Sequence, residues 1–249
     1  MNEGRDESVE DIAQALAAGR PPRAHGPYRI LIGNEALEFR AVSIANADPS
    51  GREIALTAGG FQPDGCIVYQ MLMDGQLDEL RPDERTDLRT KGVERFVLFH
   101  SDRSFRLLID DRTFDWGATH ITGAALKQLS GARVNGHDVW QVIAEGQDRL
   151  ISDRDFVDLS MPGVERFITK PISVRIVVNA RPREVHKREV AYWDVVRLAF
   201  PEATPAENTV YTITYARGPH ENPEGSMVDG QMVKVKEGMT FYVTVTDKS

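Results

Sequence analysis

The pentapeptide Gly92-Val93-Glu94-Arg95-Phe96 returns unchanged 71 residues later as Gly163-Val164-Glu165-Arg166-Phe167. The same displacement carries Val68-Tyr69-Gln70-Met71-Leu72 onto Val139-Trp140-Gln141-Val142-Ile143, and Asp87-Leu88 onto Asp158-Leu159. A further 71 residues lead from that middle segment to Val210-Tyr211-Thr212-Ile213-Thr214. A looser closing word, Gly238-Met239-Thr240-Phe241-Tyr242, follows the second by 75. Self-similarity at a fixed period marks a tandem array, so the 249 residues divide into three small units rather than one domain. Each unit is close to the lower size limit for a self-sufficient core.

Each unit repeats one plan. It opens on an alternating strand: Tyr28-Arg29-Ile30-Leu31-Ile32, Phe105-Arg106-Leu107-Leu108-Ile109 or Val174-Arg175-Ile176-Val177-Val178. Short turns at Gly33-Asn34, Asp110-Asp111 and Asn179-Ala180 predict hairpins into second strands around residues 38–44, 113–121 and 183–190. A helix follows. In the first unit Asp48 is a candidate cap, Pro49 the first turn and Gly59 the stop. In the second, Thr122 caps, Ala125, Leu126 and Leu129 point inward, and Gly131 ends the helix. In the third, Tyr192, Val195, Val196 and Ala199 share a face and Pro201 terminates. A Val-aromatic strand, a variable stretch and the closing strand complete the unit. Strand, strand, helix, strand, variable stretch, strand is the order of a β-grasp. The reading is therefore α+β: three tandem β-grasp domains at 27–101, 102–170 and 171–249, after a short N-terminal helix and linker at 1–26. A ferredoxin-type sandwich would need a second long helix, and residues 74–91 and 146–162, rich in Asp, Gly, Pro and Arg, offer no periodicity for one. Tyr69, Trp140 and Tyr211 take equivalent positions on this alignment, either as sheet packing or as a shared partner patch. Short linkers are expected around residues 97–104 and 169–171.

A net charge of −8 argues against a nucleic-acid partner, whose phosphates demand a basic face. The single cysteine, Cys66, excludes an internal disulfide framework and fits a reducing, cytoplasmic setting. The sequence offers no catalytic set. His100-Ser101-Asp102 has the letters of a triad, but adjacent linker residues point apart and triads converge from distant segments. Residues 46–51 begin like a calcium loop, yet the twelfth position would be Thr57 where a bidentate Glu is required. The histidines form no metal-ligand spacing, no phosphate-binding Gly-Lys loop occurs, and no metal or other cofactor is expected. Residues 8–18 read as an amphipathic helix with Val9, Ile12, Ala13 and Leu16 on one face, and Ser8 and Asp11 as a capping pair. The Gly/Pro/Arg run after it reads as a flexible linker. The helix is either a frayed tail or an element kept for a partner groove. Residues 217–225 form the longest polar excursion of the third unit and are expected to be mobile or ordered by a partner.

In a β-grasp the first and last strands run parallel, so consecutive units string out lengthwise as separately closed beads and the chain's end projects away from the third. Alternation supports a strand as far as Val245, leaving Thr246-Asp247-Lys248-Ser249 as an exposed tail. The three units, the two Gly-Val-Glu-Arg-Phe words and the ending Gly225-Ser226 … Gly230 … Val233-Lys234-Val235-Lys236-Glu237-Gly238-Met239-Thr240-Phe241 … Thr246-Asp247-Lys248-Ser249 resemble the bacterial multiubiquitin family. The resemblance implies a non-enzymatic, ubiquitin-like modifier. Its C-terminal carboxylate, here that of Ser249, would be activated with ATP by an activating-enzyme-like partner. It would then pass through a conjugating-enzyme-like partner and be released by a deconjugating or processing peptidase. Thr246, Asp247, Lys248 and Ser249 would be the residues that enter the activating enzyme. One departure stands out: ordinary modifiers end in Gly-Gly, a bare backbone suited to a narrow tunnel, whereas this chain ends Lys248-Ser249. The alternative is a non-covalent tandem scaffold with an inert terminus. Lys91, Lys127, Lys170, Lys187, Lys234, Lys236 and Lys248 are all candidate acceptors, with nothing in the sequence to rank them.

Overall fold

The computed structural model describes residues 9–60, 62, 65–91, 94–131, 136–206 and 208–247. The chain divides into two compact units. One holds the first two repeats (1–134 with 138–169) and the other holds the third (135–137 with 170–249).

Ahead of the first repeat come β1 (Glu10–Asp11) and α1 (Ile12–Ala17). The repeat itself comprises β2 (Tyr28–Gly33), β3 (Phe39–Ile44), α2 (Gly51–Ala58), β4 (Ile67–Met71), β5 (Leu77–Glu79), α3 (Leu88–Lys91) and β6 (Arg95–Phe99). The second comprises β7 (Phe105–Ile109), β8 (Arg112–Trp116), β9 (His120–Thr122), α4 (Gly123–Ser130), β10 (His137–Gln141), β11 (Arg149–Ile151), β12 (Phe156–Asp158) and β13 (Glu165–Pro171). The third comprises β14 (Val174–Val178), β15 (Arg181–Val185), β16 (Glu189–Ala191), α5 (Tyr192–Ala199), β17 (Thr209–Ala216), β18 (Gly225–Met227), β19 (Met232–Lys234) and β20 (Thr240–Asp247).

The three main sheets share one strand order: β3-β2-β6-β4-β5, β8-β7-β13-β10-β11 and β15-β14-β20-β17-β18. In each, the first and last strands of the repeat are parallel neighbours, as in β2 with β6, β7 with β13 and β14 with β20. The stretch 74–91 holds only β5 and the four-residue α3, so no second long helix is present there. In the second and third repeats the expected second strand breaks in two. Its latter part, β9 or β16, leaves the sheet and pairs with β12 or β19.

Helix ends follow local chemistry. The Thr122 hydroxyl accepts the Ala125 N–H and Gly131 closes α4 in the left-handed region, as the sequence predicts. For α2 the cap is Ser50 rather than Asp48. Ser50 Oγ accepts the Glu53 N–H while the Glu53 carboxylate accepts the Ser50 N–H, a reciprocal pair that outcompetes Asp48.

Side chains alternate across a sheet, so each strand offers one set to its helix and one to the other side. In the first repeat, Tyr28, Ile30, Ile32, Val68, Phe96 and Leu98 pack under Ile54, Ala55 and Ala58 of α2. The opposite set is equally apolar. Tyr69, Met71, Val97 and Phe99 share one continuous cluster with Trp116, Phe114 and Leu107 of the second repeat. The fully buried Trp116 meets Phe99 edge-on at 4.7 Å between ring centroids. Hydrogen bonds run along this contact from Gln76 Nε2 to the Thr113 carbonyl (3.1 Å) and from Arg112 to the Asp74 carbonyl (3.1 Å). The expectation of separately closed beads therefore fails for the first two repeats. The expected linker at 97–104 begins instead as the buried end of β6, and Thr169-Lys170-Pro171 belongs to β13.

The N-terminal segment is docked rather than frayed. β1 pairs in parallel with Tyr28 and Arg29. β3 fills the other edge of β2, and β6 begins only at Leu31, so β1 extends the row that β6 leaves short. Ile12 enters the apolar layer beneath α2 and Ala15 is buried with it, whereas Ala13 and Leu16 face solvent. The Gly/Pro/Arg run folds back on the segment. Glu10, 2% exposed, receives Arg20 at 2.7 Å and Arg23 at 3.0 Å. Ser8 lies outside the described residues, and Asp11 alone caps α1 through the Gln14 N–H.

Candidate conjugation terminus

β20 leads toward the predicted reactive end, and its two edges are held differently. On one side it pairs with β17 over its whole length, from Ala216 with Thr240 to Thr209 with Asp247. On the other side β14 accompanies it only through Thr240 and Phe241. At that point β14 turns at Asn179-Ala180, both with positive φ, the two-residue hairpin the sequence predicts. Asn tolerates this conformation and brings a side chain shaped like a peptide group. Its Oδ1 accepts the Val243 N–H at 2.8 Å, and its Nδ2 donates to the Val243 carbonyl at 2.9 Å. Asn179 thus stands in for one more strand residue. Asp110 does the same work in the second repeat, accepting the Thr169 N–H and hydroxyl, each at 2.7 Å.

Beyond Val243 the strand is supported by β17 alone, and Thr244, Val245 and Thr246 are all exposed. Of the four predicted tail residues, Thr246 and Asp247 are strand, paired with Val210 and Thr209. Lys248 and Ser249 lie outside the described residues. The expected end of the strand at Val245 falls two residues short because Val210 and Thr209 offer further backbone partners, which side-chain alternation does not register.

Beside this end lies an aromatic shelf that the sequence reading missed. Tyr211, opposite Val245, packs edge-on to Trp193 (5.9 Å) and against Phe200 (5.8 Å). The Tyr192 hydroxyl donates to the Tyr211 carbonyl at 2.6 Å, and burial raises that phenol's pKa. The guanidinium of Arg197 sits 5.9 Å from the Trp193 ring centre. Tyr211 therefore faces α5. Tyr69 faces the other way, toward Phe99 and the second repeat, where burial pushes its phenol up to about 12. Trp140 also lies opposite its helix, since the neighbouring Val139 packs with Ala125, Leu126 and Leu129. The three aromatics are thus not equivalent. The third repeat is out of step by an odd number of residues, and a one-residue slip exchanges the two faces of a strand. The signal that could have found this was Ile213, the apolar partner of Met227, two residues beyond Tyr211 on the same face.

Residues 217–225, expected to be mobile or ordered by a partner, form hydrogen bonds within the loop. The Gly218 N–H donates to the Pro223 carbonyl (2.8 Å), the Asn222 N–H to the Pro219 carbonyl (3.0 Å), and a Cβ on Gly218 would fall 2.0 Å from the Asn222 carbonyl oxygen. In His100-Ser101-Asp102 the Ser101 hydroxyl donates to the Arg103 carbonyl. Among the described residues no group of three His, Cys, Asp or Glu side chains could hold a metal ion, and no helix is long and apolar enough to cross a membrane.

No curated protein matches the chain at a significant level. The multiubiquitin family model matches three successive segments, residues 35–101, 105–172 and 174–247; the second and third span whole repeated sheets, and the first begins just after β2. With most of its length matched in three tandem copies, the chain belongs to the multiubiquitin family.

Proposed function

We propose that this chain is a non-enzymatic ubiquitin-like modifier, built from three β-grasp repeats, whose carboxyl end is activated with ATP and conjugated to target molecules. The carrying observation is the end of β20. It is clamped by Asn179 at Val243, is exposed at Thr244, Val245 and Thr246, and pairs with β17 as far as Asp247. An extended strand at the margin of a rigid sheet, held on one side only, is what an activating enzyme needs in order to draw a carboxylate to ATP. There the carboxylate attacks the α-phosphate, pyrophosphate leaves, and an acyl-adenylate forms. Thr246, Asp247, Lys248 and Ser249 would enter the enzyme, and the shelf of Tyr211, Trp193 and Phe200 would rest against it. The partners on this reading are an activating-enzyme-like protein, a conjugating-enzyme-like protein and a peptidase that trims or releases the end. The strand order of the three sheets supports the β-grasp reading, because first and last strands lie parallel at the sheet centre under a single helix.

A second reading, a non-covalent scaffold, draws support from the shared cluster of the first two repeats, which makes a two-repeat platform. Pyrophosphate exchange separates them. With the activating-enzyme-like partner, ATP and magnesium, the modifier reading expects exchange that is lost when the last four residues are deleted. Exchange indifferent to the deletion, or none with an enzyme active on another modifier, favours the scaffold.

A further inference from the structure

An arginine stands second in the opening strand of every repeat, and the three find their carboxylates in different places. Arg106 pairs with Asp115, directly opposite on β8, at 3.2 Å. Arg175 stands opposite Glu184 and pairs with Glu237 of its own repeat at 3.2 Å. The second and third sheets thus satisfy this position from within. Opposite Arg29 the neighbouring strand carries Ser43. Among the described residues, the carboxylate beside Arg29 comes from outside the repeat, from Asp11 at 3.2 Å.

The seat of the N-terminal segment has a definite chemistry. Tyr28 and Arg29 take Glu10 and Asp11 as parallel strand partners. Ile12, fully buried, joins the apolar cluster of Ile30, Ile54 and Leu98, and Ala15 is buried one turn further on. The Tyr28 hydroxyl donates to the Arg23 carbonyl at 2.9 Å, and Arg89 donates to the Ala24 carbonyl at 3.2 Å. The segment's remaining contacts are its own: Glu10 gathers Arg20 and Arg23, and Asp11 caps α1. Its helix has six residues, and isolated helices shorter than about 12 are marginal in water, so the seat imposes the order. Open strand backbone, an arginine for a carboxylate and a pocket for a branched aliphatic side chain are the means by which folded domains capture short segments.

We propose that this margin of the first repeat is a segment-binding site, that residues 9–24 are the plug that fills it, and that a partner protein's segment of the same chemistry takes the plug's place. Such a segment carries a carboxylate in extended backbone, a branched aliphatic residue directly after it and a small residue three further on. The plug is tethered, so its effective concentration at the seat is on the order of millimolar. A free competitor enters by binding more tightly or once the plug has been removed. The site lies on the first repeat, so the proposal stands apart from the chemistry of the carboxyl end.

The test titrates a synthetic peptide of residues 9–24 into the isotope-labelled full chain and follows backbone amides by NMR. In the double variant Asp11→Lys, Ile12→Asp the tethered segment loses its ion pair and its anchor. Peptide should then shift the amides of Tyr28, Arg29 and Ile54 at a concentration about tenfold or more below any that moves them in wild type. Adding Arg29→Ala to the double variant should weaken the peptide about two- to fivefold, the span a surface ion pair supplies. Peptide carrying Ile12→Asp should not bind. Equal titration of wild type and double variant, or shifts indifferent both to Arg29 and to the peptide's isoleucine, overturns the proposal. So does a double variant that keeps hydrogen-exchange protection across β2, β4 and β6 yet takes no peptide. A double variant that loses this protection also overturns it, because the segment is then part of the core rather than a plug.

Discussion

Two side chains carry unusual responsibility. The Glu10 carboxylate is buried and held by Arg20 and Arg23, and the hydrogen bond from Arg20, more than any other contact, keeps its pKa below the ordinary carboxylate value. A depressed carboxyl stabilises the fold at neutral pH, and that stabilisation is lost as pH falls through the folded-state value. Glu10→Gln should cost about 1–2 kcal/mol at pH 7, the lower end for a charged hydrogen-bonded pair because both arginines are half in water. The gap between wild type and variant in thermal unfolding should close in acid. Glu94 shifts the opposite way, raised chiefly by burial, but is common to both proteins and cancels. Asn179 is the second. Asn179→Ala removes both contacts to Val243 in a left-handed turn and should cost the third repeat about 1–2 kcal/mol in denaturant unfolding. Asn179→Asp keeps the acceptor for the Val243 N–H but sets a second acceptor against the Val243 carbonyl, so it should not restore wild-type stability; Asp110 escapes this because its second oxygen accepts from the Thr169 hydroxyl.

At the scale of elements, helices and first strands were legible because their signals are local: an apolar stripe, a capping hydroxyl, a closing glycine. The α2 cap lies at Ser50 rather than at Asp48, the one candidate named from the sequence, because Ser50 forms a reciprocal bond with Glu53. The docking of β1 and α1 was not legible. Ile12 reads as apolar on a short amphipathic helix in either case, and what it covers is an edge of β2 left open by a β6 that starts late. Ile12→Ala should destabilise the first repeat by about 2–4 kcal/mol. Hydrogen exchange should show protection lost first at Glu10, whose N–H donates to the Pro27 carbonyl. Unchanged exchange there would mean that the segment does not depend on its buried isoleucine.

For the whole molecule the decisive contrast lies between closing strands. Phe96-Val97-Leu98-Phe99 is apolar at every position, the pattern of a strand covered on both faces. Phe241-Tyr242-Val243-Thr244-Val245-Thr246 alternates, with Tyr242, Thr244 and Thr246 in solvent. That difference, visible in the sequence, announced the fusion of the first two repeats. The identical Gly-Val-Glu-Arg-Phe words masked it, because they end where the strands begin to differ. Trp116→Ala should cost about 3–5 kcal/mol, and amides of both the first and second repeats should lose protection together. Loss confined to the second repeat would contradict a shared core. Gly117→Ala should act in the same direction, since its Cβ would fall 2.5 Å from the Phe99 ring.

The carboxyl end itself can be interrogated by trapping. In a mixture of the full chain, its activating partner, ATP, magnesium and hydroxylamine, an acyl-adenylate is converted to a stable hydroxamate at the carbonyl that was activated. Peptide mapping should find ATP-dependent hydroxamate on the Ser249 peptide and nowhere else. Hydroxamate on an internal carboxylate, or none where the same enzyme yields it with another modifier, would contradict the account.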